Sequence, residues 1–145
     1  MIFPDNALKG IPNPSFMNEE GNVGSHLFRF DIDQEIRDDD LIEQSINWED
    51  DYNAIDYTLK QKKENGETQF KVGVAIVPRE DIDRLMNKHP FKNVFFYERN
   101  EVANNPYHGN LLLNKNISKP TRNMLSAGLA LAISKIVPQT NTISN

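Results

Sequence analysis

The segment Asn104-Asn105-Pro106-Tyr107-His108-Gly109-Asn110 places two neighbouring carboxamides, a rigid proline, a phenol, an imidazole and a glycine within seven residues. An imidazole exchanges a proton near neutral pH, a phenol and a carboxamide can orient a polar ligand, and a glycine lets a ligand or a second backbone approach closely. His108, Tyr107 and Asn105 therefore form the candidate catalytic set. The same residues also suit a plain loop that leads into a strand, with His108 as a hydrogen-bonded structural residue.

Three cations are candidate ligand-binding residues. Arg99 lies close to this segment in sequence, while Lys119 and Arg122 flank the start of the last predicted helix. Free backbone amides at a helix start attract a carboxylate or phosphate, although an ordinary Ser-capped helix with solvated lysines reads the same way.

Other chemistries find less support. His26, His89 and His108 are far apart and match no metal-ligand spacing, so no metal and no cofactor are expected. The acidic run Asp31-Ile32-Asp33-Gln34-Glu35 has Ile36 where a calcium loop needs glycine and Ile42 where it needs glutamate. Ser25 and His26 are adjacent, which on a strand points them to opposite faces and disfavours a serine nucleophile. No Walker or dinucleotide-binding glycine pattern occurs. Zero cysteines exclude disulfides and thiolate chemistry.

The elements that must position these groups follow from pattern. The first residues, with Pro4, Gly10, Pro12 and Pro14, read as an extended arm (1–17) resting on the domain. Val23 to Asp31 reads as a strand with His26, Phe28 and Phe30 on one face, possible partner of a hairpin through Phe16-Met17. Leu41 to Trp48 reads as a short edge strand. Trp48 to Lys63 carries helical spacing, with acids in its first turn and lysines in its last. Gln69 to Val77 reads as a central strand, Arg79 to Asn87 as a short helix, and Asn93 to Arg99 and Tyr107 to Leu113 as neighbouring strands. The last helix, from Ser118 to about Val137, is apolar nearly all round. Such a helix must pack on a sheet and be covered again, or be shared with a second subunit.

Together these predict an α+β fold: a single domain over 1–137 with one mixed, largely antiparallel sheet of four to five strands and three helices. The apolar C-terminal helix packs on the sheet, and residues 138–145 form a mobile polar tail. At 145 residues and 38% hydrophobic composition the chain has room for one core. No apolar run is long enough to span a bilayer and no signal peptide is evident, so a cytoplasmic location is expected.

The net charge of −5 is unevenly distributed. Residues 31–56 hold eleven acids against Arg37 alone, while 85–145 carry a basic excess. The acidic stretch recruits a basic partner, docks on the protein's own basic half, or is simply an acidic loop and helix start left in water. Asp38, Asp39, Asp40, Glu49, Asp50 and Asp51 are the candidate partner-binding residues. The leading functional expectation is thus a small binding or assembly module, with an unknown protein partner or self-association as a homo-oligomer. The alternative is a small enzyme using acid/base chemistry on an anionic substrate around His108. Nucleic acid is disfavoured, because no basic cluster interleaves with aromatics.

Overall fold

A computed structural model describes residues 2–31 and 37–139. The element order is β1 (Asn6–Ile11), β2 (Leu41–Trp48), α1 (Ala54–Leu59), β3 (Gly73–Pro78), α2 (Arg79–Met86), β4 (Phe95–Arg99), β5 (His108–Asn114), α3 (Lys119–Leu131) and β6 (Lys135–Pro138), with 3-10 turns at Pro14–Phe16 and Ser25–Phe28. Six strands form one sheet in the order β4-β5-β2-β1-β3-β6. Every neighbouring pair is antiparallel. The chain is thus a single small α+β domain, with a sheet of six strands instead of four or five and no parallel pair.

One face of the sheet carries the main core. Ala7 and Ile11 of β1, Ile42, Ile46 and Trp48 of β2, and Leu111 and Leu113 of β5 alternate inward against Ile82 of α2, Leu125 and Leu129 of α3, and Phe28. On the other face Leu8, Val74 and Ile76 are covered by Ala54 and Leu59 of α1. This second face is only partly covered, and the cleft described below opens there.

Several expectations need correction. Residues 6–11, read as part of an arm, form a strand inside the sheet, flanked by β2 and β3. Pro4 and Pro12 lie just outside the ladder, where a missing amide costs nothing. The stretch read as a strand over 23–31 begins with a Met17–Val23 bridge and then turns into the 3-10 segment. Leu27 and Phe28 are adjacent and both buried, which a strand with one solvent face does not allow, and His26 stacks on Phe16 at 4.6 Å. The β2 strand is not at an edge but sits between β5 and β1. The helix read from Trp48 shrinks to six residues because Trp48 completes β2. The 69–77 strand starts at Gly73 and lies next to the edge strand β6.

The last helix stops at Leu131, and only Leu125, Ser126 and Leu129 are buried on it. The apolar residues after it, Ile136 and Val137, belong to β6, which pairs with β3. Ser134 makes the switch by donating its amide to the Ile76 carbonyl at 2.9 Å. Of the segment read as a tail, Pro138 closes β6 and the Gln139 carboxamide donates to Leu59 and Phe70 carbonyls; 140–145 lie outside the described residues.

Gly109 fixes the contact between β5 and the core. A Cβ there would lie 2.3 Å from Trp48 Nε1 and 2.5 Å from the Glu98 carbonyl oxygen. That indole is fully buried and donates to the same oxygen at 3.1 Å. Gly109→Ala must push either the indole or the β4 backbone, with an expected cost of about 1–3 kcal/mol in urea denaturation. An unchanged midpoint would contradict the packing.

Candidate functional site

The site originates in a parting of two strands. β1 and β2 pair at only two register positions, Ala7 with Trp48 and Leu8 with Asn47. Beyond them the ladder ends, and the Lys9 ammonium donates to the Ser45 carbonyl at 2.9 Å in place of a backbone amide. A cavity of about 260 Å³ lies along this parting, lined by Lys9, Asn47, Thr58, Gln61, Asn105 and His108 among others. Its apolar wall is built by Leu8 and by Phe70, whose ring lies so close over Gly10 that a Cβ there would sit 2.2 Å from it. Gln61, Asn105 and His108 also line a shallower outer groove of about 700 Å³, which continues to Tyr57, Tyr107 and Lys60.

A buried carboxamide relay shapes the inner wall. Asn47 donates to Thr58 Oγ1 and to Gln61 Oε1, both at 2.8 Å, and its own Oδ1 accepts from Asn105 Nδ2 at 2.8 Å. Asn105 Oδ1 then accepts the Tyr107 amide at 3.0 Å. One side chain of β2 therefore ties α1 to the 100–107 loop. His108 Nδ1 meets the Asn100 carbonyl at 2.8 Å, which sets the neutral ring with its proton on Nδ1 and a lone pair on Nε2.

Charge in the inner cavity is one-sided. Among the described residues no Asp or Glu lines it, and burial pushes the Lys9 ammonium down to about 8. In the outer groove the rings of Tyr57 and Tyr107 are 5.3 Å apart. The Tyr107 phenol donates to Asp51 at 3.0 Å, and burial, with that bond, raises it above the usual phenol range, so it stays a donor.

His108 and Asn105 line both compartments and Tyr107 lines the outer one. The expected cations do not join them. Arg99 is held by Asp50, at 2.9 Å for one nitrogen–oxygen pair, and lines neither compartment. Arg122 donates to the Ile117 carbonyl at 2.7 Å and Lys119 is exposed at the start of α3, both away from the cleft. The cation that lines the inner cavity, Lys9, and the relay residues Asn47, Thr58 and Gln61 were not singled out from the sequence. The available signal was a lysine set between Leu8 and Ile11, inside an otherwise apolar run.

Most of the acidic candidates stay exposed yet find partners within the chain. Asp39 pairs with Arg37 at 2.9 Å, Asp40 with Lys115 at 3.1 Å and Asp50 with Arg99. Glu49 accepts from Asn6 and Asp51 from Tyr107. Arg37 also holds Glu43 and, at 2.7 Å, Glu98. Asp38 is exposed. Asp40 and Asp50 thus meet cations from the basic half of the same chain, while Arg37, inside the acidic stretch, holds Asp39 and Glu43. The acidic residues 33 and 35 lie outside the described residues. Among the described residues no three His, Asp or Glu side chains converge as a metal site, and no helix is long and apolar enough to cross a membrane.

No protein-family model matches the chain, and no curated protein or solved structure matches it either.

Proposed function

We propose that the cleft between β1 and β2 binds a small anionic molecule and works on it by acid/base chemistry at His108. The observation that carries this reading is the Lys9 ammonium, a cation in a cavity whose lining, among the described residues, supplies no carboxylate. A half-buried cation with no carboxylate beside it among the described residues leaves a deficit that an anion fills. The carboxamides of Gln61 and Asn105 offer polar contacts for orientation. The Nε2 lone pair of His108 can take a proton from the ligand and return it.

Thermal-shift titration with malonate and inorganic phosphate at pH 7 tests the reading. Saturable stabilisation is expected, with at least tenfold weaker binding in Lys9→Met, since a charge-assisted hydrogen bond contributes about 1.5–3 kcal/mol. Equal responses from both proteins would overturn it.

A second reading, a binding or assembly module, draws on a different observation. Met124 and Leu131 are 56% and 87% exposed on α3 and could serve self-association. Its acidic recruiting surface is weakened, because five of its six candidate carboxylates are engaged within the chain.

A further inference from the structure

We infer that Lys9 is a carbonyl-reactive amine, and that the ligand of the cleft is a small 2-oxo acid held as a reversible imine. This rests on the anion-binding reading and narrows it to one substrate class.

Three features of the cavity support the assignment. Among the described residues, the Lys9 side chain hydrogen-bonds to a neutral acceptor, the Ser45 carbonyl. A neutral amine can still donate to that oxygen and keeps its lone pair for attack. Among the described residues no carboxylate lines the inner cavity to hold the group as an ammonium. The apolar wall of Leu8 and Phe70 limits the water that would compete for the carbonyl and reverse the imine. The proton affinity agrees with the geometry: at about 8, roughly a tenth of Lys9 is free base at pH 7, a few hundred-fold more than an ordinary lysine.

In the step itself the Lys9 Nζ lone pair forms a bond to the keto carbon, and the carbonyl π pair moves to oxygen, which is protonated. The nitrogen loses a proton to His108 Nε2 or to water. Protonation of the carbinol oxygen then expels water as the C=N bond forms. The sum is amine plus carbonyl giving imine plus one water, with no change of oxidation state. A protonated imine keeps the positive charge beside the ligand's carboxylate, so the charge match that favours binding survives the reaction. The other lysines differ: Lys60 and Lys115 pair with Asp56 and Asp40, and Lys62, Lys63, Lys71, Lys88, Lys92, Lys119 and Lys135 are exposed to water.

The test incubates the intact protein with pyruvate and sodium cyanoborohydride at pH 7, which reduces any imine to a stable secondary amine, and maps labelled peptides by mass spectrometry. Labelling of Lys9 is expected at least tenfold faster than of any other lysine, slowed by malonate, and absent from its peptide in Lys9→Met. Labelling spread over the exposed lysines, with Lys9 no faster, overturns the inference. The two readings fail separately: malonate stabilisation without selective labelling leaves the anion site standing and removes the imine. Selective labelling that malonate neither slows nor accompanies with stabilisation would remove the anion site instead.

Discussion

Raising the pH from 8 to 10.5 is expected to stabilise this protein against urea, against the usual trend for a chain that loses lysine charges. Lys9 releases its proton at about 8 in the fold, where an ordinary lysine holds it to 10.5. Between those values the unfolded chain binds more protons than the folded one, so stability rises with pH across that window. Below about 8 both states are protonated and the full penalty of burying the charge is present. The difference corresponds to about 3 kcal/mol at most. Lys9→Met removes the penalty and also the bond to Ser45, which returns about 1 kcal/mol. The variant is therefore expected to be about 2 kcal/mol more stable than the parent at pH 7, with the advantage vanishing by pH 10.5. Urea midpoints of both proteins at pH 7, 8.5 and 10 check this, and subtracting one from the other cancels every other titrating group. A constant difference across the series would rule out a charge cost at Lys9. Gaining stability by losing the cation also fits a group kept for binding, because local destabilisation is common at functional sites.

The parts of the fold legible in sequence were those set by local pattern. The β4 and β5 strands are short apolar runs with a turn-rich loop between them, and α2 follows Pro78 directly with Ile82 facing the core. Elements fixed by distant contacts were harder to read. Pro4, Gly10 and Pro12 argued against a helix and suggested an extended arm, yet the prolines flank a strand, β1, and Gly10 is where the Phe70 ring needs space. The acids near β2 suggested an edge, whereas its buried positions Ile42, Gln44, Ile46 and Trp48 place it inside the sheet. The apolar stretch after Leu125 looked like one helix because composition does not show that Ser134 hands the chain to a strand pairing with β3. The site divides in the same way. His108 and Asn105 were visible from their loop chemistry, while Lys9 matters only because β1 and β2 part, a relation between residues 36 apart in the chain.

Asn47→Ala is expected to cost about 3 kcal/mol and to loosen two distant segments at once. The carboxamide is 5% exposed and makes three side-chain hydrogen bonds: to Thr58, to Gln61 and from Asn105. Each bond contributes about 1 kcal/mol net, and a buried donor left without an acceptor costs about 1–3 kcal/mol. Asn105 is 7% exposed, so its Nδ2 would be stranded. Thr58 suffers less, because its hydroxyl still donates to the Ala54 carbonyl at 2.8 Å. The damage should therefore concentrate in the 100–107 loop and at Gln61, which are the parts of the cleft not built from the sheet. Hydrogen exchange provides the readout: amides of Asn105 and Tyr107 should lose protection, while those of Ile46 and Leu111 in the central ladder change only with global stability. Uniform loss everywhere would mean that Asn47 merely stabilises the sheet. Selective loss would mean that one buried amide of β2 sets the distance between α1 and His108, and with it the width of the cavity that holds the ligand.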